Sequence, residues 1–223
     1  MLCLFDIDGT LVDTCGAGME ALVQTTHHFF GDSGPELDLA GATDLGIIHE
    51  LHQYFAAEVN QDRIEAYFTY YEDRLQCLLN GGSHDGRALP GALELVERLH
   101  SLEDVTLGLL TGNTETGAYI KCRHFGFGDY FKFGAFGSDH HDRNQLGPLA
   151  MQRAIDHSGQ LHHPDRTWVI GDTPKDIACA HAFGARCLAV ASGHFTKDQL
   201  VKFGANAVVG RLDEAMGILQ EGR

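Results

Sequence analysis

The segment Asp6-Ile7-Asp8-Gly9-Thr10 puts two carboxylates two residues apart, directly after the apolar run Leu2-Cys3-Leu4-Phe5. Alternate residues of an extended chain project to the same side, so Asp6 and Asp8 can face one point. Two acids there are a poor choice for stability alone, because close like charges repel and lift each other's pKa unless a cation offsets them. Two further segments place similar chemistry after apolar runs: Thr111-Gly112-Asn113, and Gly171-Asp172-Thr173-Pro174-Lys175-Asp176. Carboxylate oxygens on a rigid frame suit Mg²⁺, which binds one or two carboxylates and a substrate phosphate. Each acid taken singly has a plainer use, since Asp13 and Asp176 could serve as helix caps.

The elements that must position these residues are legible as a rhythm. Short apolar runs recur at 2–7, 105–112, 130–137, 167–172, 186–193 and 206–210, each the length of a strand. Helical patterns lie between them at 92–102, 148–159 and 176–185. Strands alternating with helices predict an α/β fold with a doubly wound parallel sheet, in which ligands bind beyond the carboxyl ends of the strands. From about Gly16 to Gly86 the rhythm breaks into helical stretches only, and NGGSHDGRALPG (80–91) reads as a return linker. The expected division is a core of residues 1–15 and 87–223 with a helical cap of residues 16–86. In the cap, Ile64, Tyr67, Phe68, Tyr71, Leu75 and Leu78 recur at helical spacing and predict a packed face. The glycines at 16 and 18 are read first as a hinge, and second as a close approach to substrate.

With these motifs in this order, the chain resembles the haloacid dehalogenase (HAD) superfamily, built largely of Mg²⁺-dependent phosphatases. Asp6-Ile7-Asp8-Gly9-Thr10 matches its first motif, Leu109-Leu110-Thr111 its second and Gly171–Asp176 its fourth. A helical insertion after the first strand corresponds to the family's C1 cap, and the whole is similar to the phosphoglycolate phosphatase-like branch. The resemblance implies a phosphomonoester hydrolase in which Asp6 is the nucleophile, forming an aspartyl-phosphate, and Asp8 the general acid and base. It implies Mg²⁺ held by Asp6, the Asp8 backbone carbonyl and Asp172, with Asp176 in support. Thr111 and the backbone around Gly112 and Asn113 would bind phosphoryl oxygens. Thr43 and Asp44, with Arg87, are candidate substrate contacts by position in the cap and its linker; each has the alternative of a helix cap or a solvated charge. Rival readings are a phosphomutase of the β-phosphoglucomutase-like type and a non-catalytic binding protein of the same fold.

The third motif departs from the pattern. The family places a Lys before the helix that precedes the fourth motif, and here no Lys lies between Lys132 and Lys175. Arg143 is the expected replacement, steadying Asp6 and the phosphate, with Lys121 and Lys175 as alternatives. The plainer reading of Arg143 is a surface pair with Asp139 or Asp142. Arg for Lys is not a neutral exchange, because its planar fork imposes bidentate geometry.

Composition bounds the rest. A formal charge of −15 argues against general affinity for nucleic acid or anionic membranes. It leaves room for a small phosphorylated substrate, whose pocket a metal ion can make locally positive. Six cysteines without paired spacing suit reduced thiols, and the first residues lack the cationic leader of a signal peptide, so the expected location is cytoplasmic. Fourteen histidines show no ligand set at zinc spacing, although His49 and His52 share a helix face. Monomer and homodimer are not distinguished.

Overall fold

The computed structural model describes residues 1–221. In chain order the first elements are β1 (Leu2–Phe5), β2 (Val12–Asp13), α1 (Ala17–Phe30), α2 (Asp44–Tyr54), α3 (Gln61–Asn80) and β3 (Arg87–Ala88). Next come α4 (Ala92–His100), β4 (Thr106–Leu110), α5 (Glu115–His124), β5 (Gly134–Ala135) and α6 (Leu146–Ser158). The chain continues through β6 (Thr167–Gly171), α7 (Pro174–Ala182), β7 (Arg186–Val190), α8 (Lys197–Lys202), β8 (Ala207–Val209) and α9 (Ala215–Glu221).

Six strands form one parallel sheet in the order β5-β4-β1-β6-β7-β8. Strand β1 is central and wholly buried, as its unbroken apolar sequence requires of a strand covered on both faces. Its side chains alternate between two cores. Cys3 and Phe5 join Leu109, Ile170 and Leu188 on one face, while Leu2 and Leu4 join Leu110, Val169 and Ala189 on the other. Truncating a leucine such as Leu4 to Ala would cost about 2–5 kcal/mol, the usual penalty for a core cavity. The chain order reverses across β1, with β4 on one side and β6 on the other. This makes the carboxyl end of β1 the crevice where such sheets bind ligands.

The chain leaves the core at β2 and returns at β3, and these two segments pair antiparallel, Val12 with Ala88 and Asp13 with Arg87. Between them lie α1, α2 and α3, connected through this narrow neck. Gly16 starts α1 with a φ of 92°, a left-handed conformation that a side chain would strain. Thr43 and Asn60 cap α2 and α3 by accepting hydrogen bonds from Gly46 N and Arg63 N. One face of α3 buries Ile64, Tyr67, Tyr71 and Leu75, with Phe68 and Leu78 partly buried beside it. The helices are seated on the core: Ile120 of α5 packs with Ala17, Ala21, Tyr71 and Leu75. Backbone bonds from Asp44 N to Gly112 O (2.7 Å) and from Leu45 N to Gly137 O (3.0 Å) fix the start of α2 over the ends of β4 and β5.

Two elements are shorter than the sequence suggests. The apolar run at 130–137 contributes only Gly134 and Ala135 to the sheet, because Phe131, Phe133 and Phe136 are used as core plugs around an edge position. Helix α2 stops at Tyr54, and Ala56 at φ 48° breaks the pattern that continues apolar toward Val59. No helix among the described residues is long and apolar enough to cross a membrane.

Candidate active site

Asp6 follows β1 directly and extends its ladder, its N–H bonding Ile170 O at 2.9 Å. The chain then turns tightly: the N–H groups of Thr10, Leu11 and Val12 all donate to Ile7 O. Gly9 takes a φ of 76° in this turn, and a Cβ there would run into the Asp172 carboxylate. The turn therefore needs glycine twice over, for its dihedral and for the close approach of the β6 end.

Asp6, Asp172 and Asp176 are all buried, and each offers an oxygen within 4.8 Å of the others. Asp6 is pushed up to about 6, first by burial and then by Asp176 and Asp8, against the opposing pull of Arg143 and a Thr111 hydrogen bond. Asp172 is pushed up to about 8, again by burial first and by Asp176 and Asp6 next, against Thr10 and Arg143. One guanidinium facing three buried acids leaves the cluster short of positive charge. All-oxygen donors with that deficit fit a hard divalent cation such as Mg²⁺. Asp6 and Asp172 line the cavity described below. Asp176 does not: its Oδ1 accepts from Arg143 and its Oδ2 from the N–H and hydroxyl of Thr173, in the capping box of α7. Its capping use is thereby met, and its bond to Arg143 sets it beside Asp6 and Asp172.

Arg143 is buried rather than paired at the surface. Its Nη2 lies 2.5 Å from Asp176 Oδ1 and 3.3 Å from Asp6 Oδ1, and it also donates to Leu110 O and Gly41 O. Burial works against its charge, but Asp176 and Asp6 outweigh that and hold it protonated. Lys121 is elsewhere. From α5 its Nζ reaches Asp8 Oδ2 and Asn113 Oδ1, each at 2.6 Å. Asn113 Nδ2 in turn donates to Asp8 Oδ2 and Thr111 Oγ1, both at 2.8 Å. Asp8 is thereby oriented by two donors while its side chain keeps 44% exposure to the cavity. Lys175 does not line the cavity and is paired with Asp38 at 3.2 Å.

A cavity of about 850 Å³ opens over these groups, lined by Asp6, Asp8, Thr111, Gly112, Asn113 and Asp172 from the sheet edge. Asp44 lines it from the cap, accepting from Thr114 N at 2.7 Å. Burial raises its pKa to about 6, with Lys121 opposing. Thr43 does not line the cavity; its hydroxyl caps α2 and donates to His141 O, so it ties cap to core. Arg87 reaches the mouth, where it pairs with Asp13 at 3.1 Å. The loop after β7 was not singled out in the sequence, yet Ser192, Gly193 and His194 line the cavity, and the Ser192 hydroxyl donates to Gly9 O. Its signal was the same as elsewhere, a strand end at the same sheet edge.

Comparison with known proteins identifies the family. The family model described as haloacid dehalogenase-like hydrolase matches residues 3–190. The chain belongs to this family. It is 24% identical to a phosphoglycolate phosphatase of Pseudomonas fluorescens over 210 residues, which is 86% of this chain and 70% of that protein. It is 26% identical to a Dickeya dadantii protein named "Probable phosphatase IndB", over 97% of this chain and 92% of the other. A Mycobacterium tuberculosis protein named tyrosine-protein kinase PtkA is 28% identical over 97% of this chain and 72% of its own length. Among solved structures, CbbY from Rhodobacter sphaeroides in complex with phosphate superposes with a TM-score of 0.75 at 19% identity, covering 96% of each chain. Family and phosphatase relatives together make this HAD chain an enzyme of the phosphatase kind, on a scaffold whose members carry more than one named activity.

Proposed function

We propose that the chain is a Mg²⁺-dependent phosphomonoester hydrolase that works through an aspartyl-phosphate on Asp6. The observation that carries this reading is the pairing of a buried Asp6, held by Arg143 and Thr111, with a cavity-facing Asp8 held by Lys121 and Asn113. The first carboxylate is suited to attack and the second to moving a proton.

Asp6 and Asp172 would hold the metal, braced by Asp176. When bound, Mg²⁺ would supply positive charge to the acidic cluster and the phosphoryl oxygens. Arg143 holds Asp6 in place, its Nη2 lying 3.3 Å from Asp6 Oδ1. In the first step an Asp6 oxygen bonds to phosphorus as the ester P–O bond breaks, and Asp8 gives its proton to the departing alkoxide. In the second step Asp8 takes a proton from water as that water attacks phosphorus, the Asp6–phosphorus bond breaks, and phosphate leaves. Asp8 then carries a proton again, which closes the cycle. The hydroxyl of Thr111 and the N–H groups that follow it support phosphoryl oxygens.

The test is release of phosphate from p-nitrophenyl phosphate with Mg²⁺ and with EDTA, for the native chain and Asp6→Asn. Turnover that stops with chelator and with the substitution is expected. Acid-quenched protein should carry one phosphoryl group on the peptide containing Asp6. Turnover retained in Asp6→Asn would overturn the nucleophile assignment. Stimulation by a sugar bisphosphate would favour the phosphomutase instead.

A further inference from the structure

The cap side of the cavity has a one-sided chemistry. From Gly18 to Tyr71 it contributes apolar and aromatic residues, among them Leu22, Ile47, Tyr67, Phe68 and Tyr71, two acids, and no Lys, Arg or His. Of the acids, Asp38 is paired with Lys175, while Asp44 sits between the aromatic wall and the sheet edge. The core's buried cations are already engaged, Arg143 by Asp6 and Asp176 and Lys121 by Asp8 and Asn113. Arg87 belongs to the exposed mouth, where it meets Asp13, and not to the cap wall. His194 is exposed in the loop after β7, a core element rather than part of the cap.

A leaving group with its own carboxylate or second phosphate would need an uncommitted cation where the organic part lies. None is offered from the cap, and Asp44 would repel it. An uncharged group with a flat apolar face meets the opposite situation. It can cover Phe68 and the two tyrosines, and a hydroxyl or amine on it can donate to Asp44.

We propose that the ester's organic part is an uncharged apolar or aromatic alcohol, selected by the Tyr67–Phe68–Tyr71 wall and by exclusion of anions at Asp44. This rests on the phosphatase reading above and narrows it. It sets the chain apart from its phosphoglycolate phosphatase relative, whose named substrate carries a carboxylate.

Binding of non-hydrolysable analogues separates the two levels. With Mg²⁺ present, isothermal titration calorimetry of the full chain would compare benzylphosphonate, phosphonoacetate and inorganic phosphate. Benzylphosphonate should bind at least about tenfold more tightly than phosphonoacetate, the scale expected for burying one ring. Phe68→Ala should weaken benzylphosphonate, and Asp44→Asn, which keeps an acceptor for Thr114 N, should tighten phosphonoacetate and narrow the ratio. Equal or tighter binding of phosphonoacetate would overturn the substrate class while leaving the phosphatase reading intact, as would binding of inorganic phosphate alone. Binding of none of the three would overturn both.

Discussion

Lys121 Nζ sits 2.6 Å from Asp8 Oδ2, buried to 3% exposure beneath the cap while its partner faces the cavity. The arrangement separates charge from contact. The ammonium is committed to Asp8 and Asn113, so its part is to set where the Asp8 carboxylate points. General acid–base steps depend on such aim, because the proton must be delivered to one oxygen.

Removing the ammonium should therefore leave the protein folded but slow. Lys121→Met is expected to lower kcat by about a hundredfold, the lower end of the range for general acid–base catalysis. KM should change less than kcat. Steady-state kinetics with p-nitrophenyl phosphate, paired with circular dichroism, checks this; an unchanged kcat would remove Lys121 from the Asp8 assembly.

Arg143 makes a different prediction, because it is buried between two acids. Arg143→Ala would leave Asp6 and Asp176 unpaired and should cost about 3–5 kcal/mol near neutral pH. The loss should shrink toward pH 5, where Asp6 takes up a proton below its value of about 6. Arg143→Lys keeps one charge but cannot reach Asp6, Asp176, Leu110 O and Gly41 O together. It should fold better than the alanine variant and still turn over poorly. Denaturant titration at the two pH values and kcat/KM for each variant test these outcomes.

The difference between Arg143 and Lys121 also marks how far the sequence could be read. Asp6 and Asp172 were legible because each ends an apolar run, and a parallel sheet sends all such ends to one edge. Arg143 was legible only through the family resemblance, which implies a cation in that stretch, where no lysine stands. Lys121 was weighed only as a substitute for that cation. Its actual partner, Asp8, depends on how α5 passes behind the edge, and its burial depends on α3 lying over it, neither of which has a local signature. Thr43 and Asp44 show the same limit at one residue's resolution. Adjacent in sequence, they part at the start of α2, the threonine inward as a cap and the aspartate to the cavity. The run at 130–137 carried a strand's composition, but its phenylalanines were needed by the core.

Stability should depend on pH and metal in a coupled way. Asp6 and Asp44 are held at about 6 and Asp172 at about 8, all above ordinary carboxylates, so the folded protein binds protons more tightly than the unfolded chain. Their contribution is full below about pH 4 and is lost as pH rises through about 6 for the first two and about 8 for Asp172. The metal-free protein should lose Tm between pH 5 and pH 8 on this account. Added Mg²⁺ should restore it, more at pH 8 than at pH 5, because the ligands bind as carboxylates. Asp172→Asn should raise the metal-free Tm at pH 8 by about 3 °C, roughly 1 kcal/mol for a chain this size, and blunt the response to Mg²⁺. A melting series across pH with and without the ion decides it; a flat Tm in both would mean the cluster is relieved in another way.

The seat of the cap turns on Gly112. A Cβ there would collide with Ala42 O in the loop leading into α2, and Gly112 O is the acceptor for Asp44 N. Gly112→Ala cannot be absorbed by a side-chain shift, since the obstacle is backbone. The segment after β4 is held too, with Gly137 N bonded to the neighbouring Asn113 O. The cap loop must then move away, taking Asp44 off the cavity and Gly41 O off Arg143. The core does not depend on that loop, so Tm should fall little. Catalysis should suffer more: kcat/KM is expected to drop by about a hundredfold, the scale of a misplacement near 1 Å. Limited proteolysis should cut between Gly31 and Thr43 faster than in the native chain. Native kinetics and native protease resistance together would show that the cap need not be seated this closely for turnover.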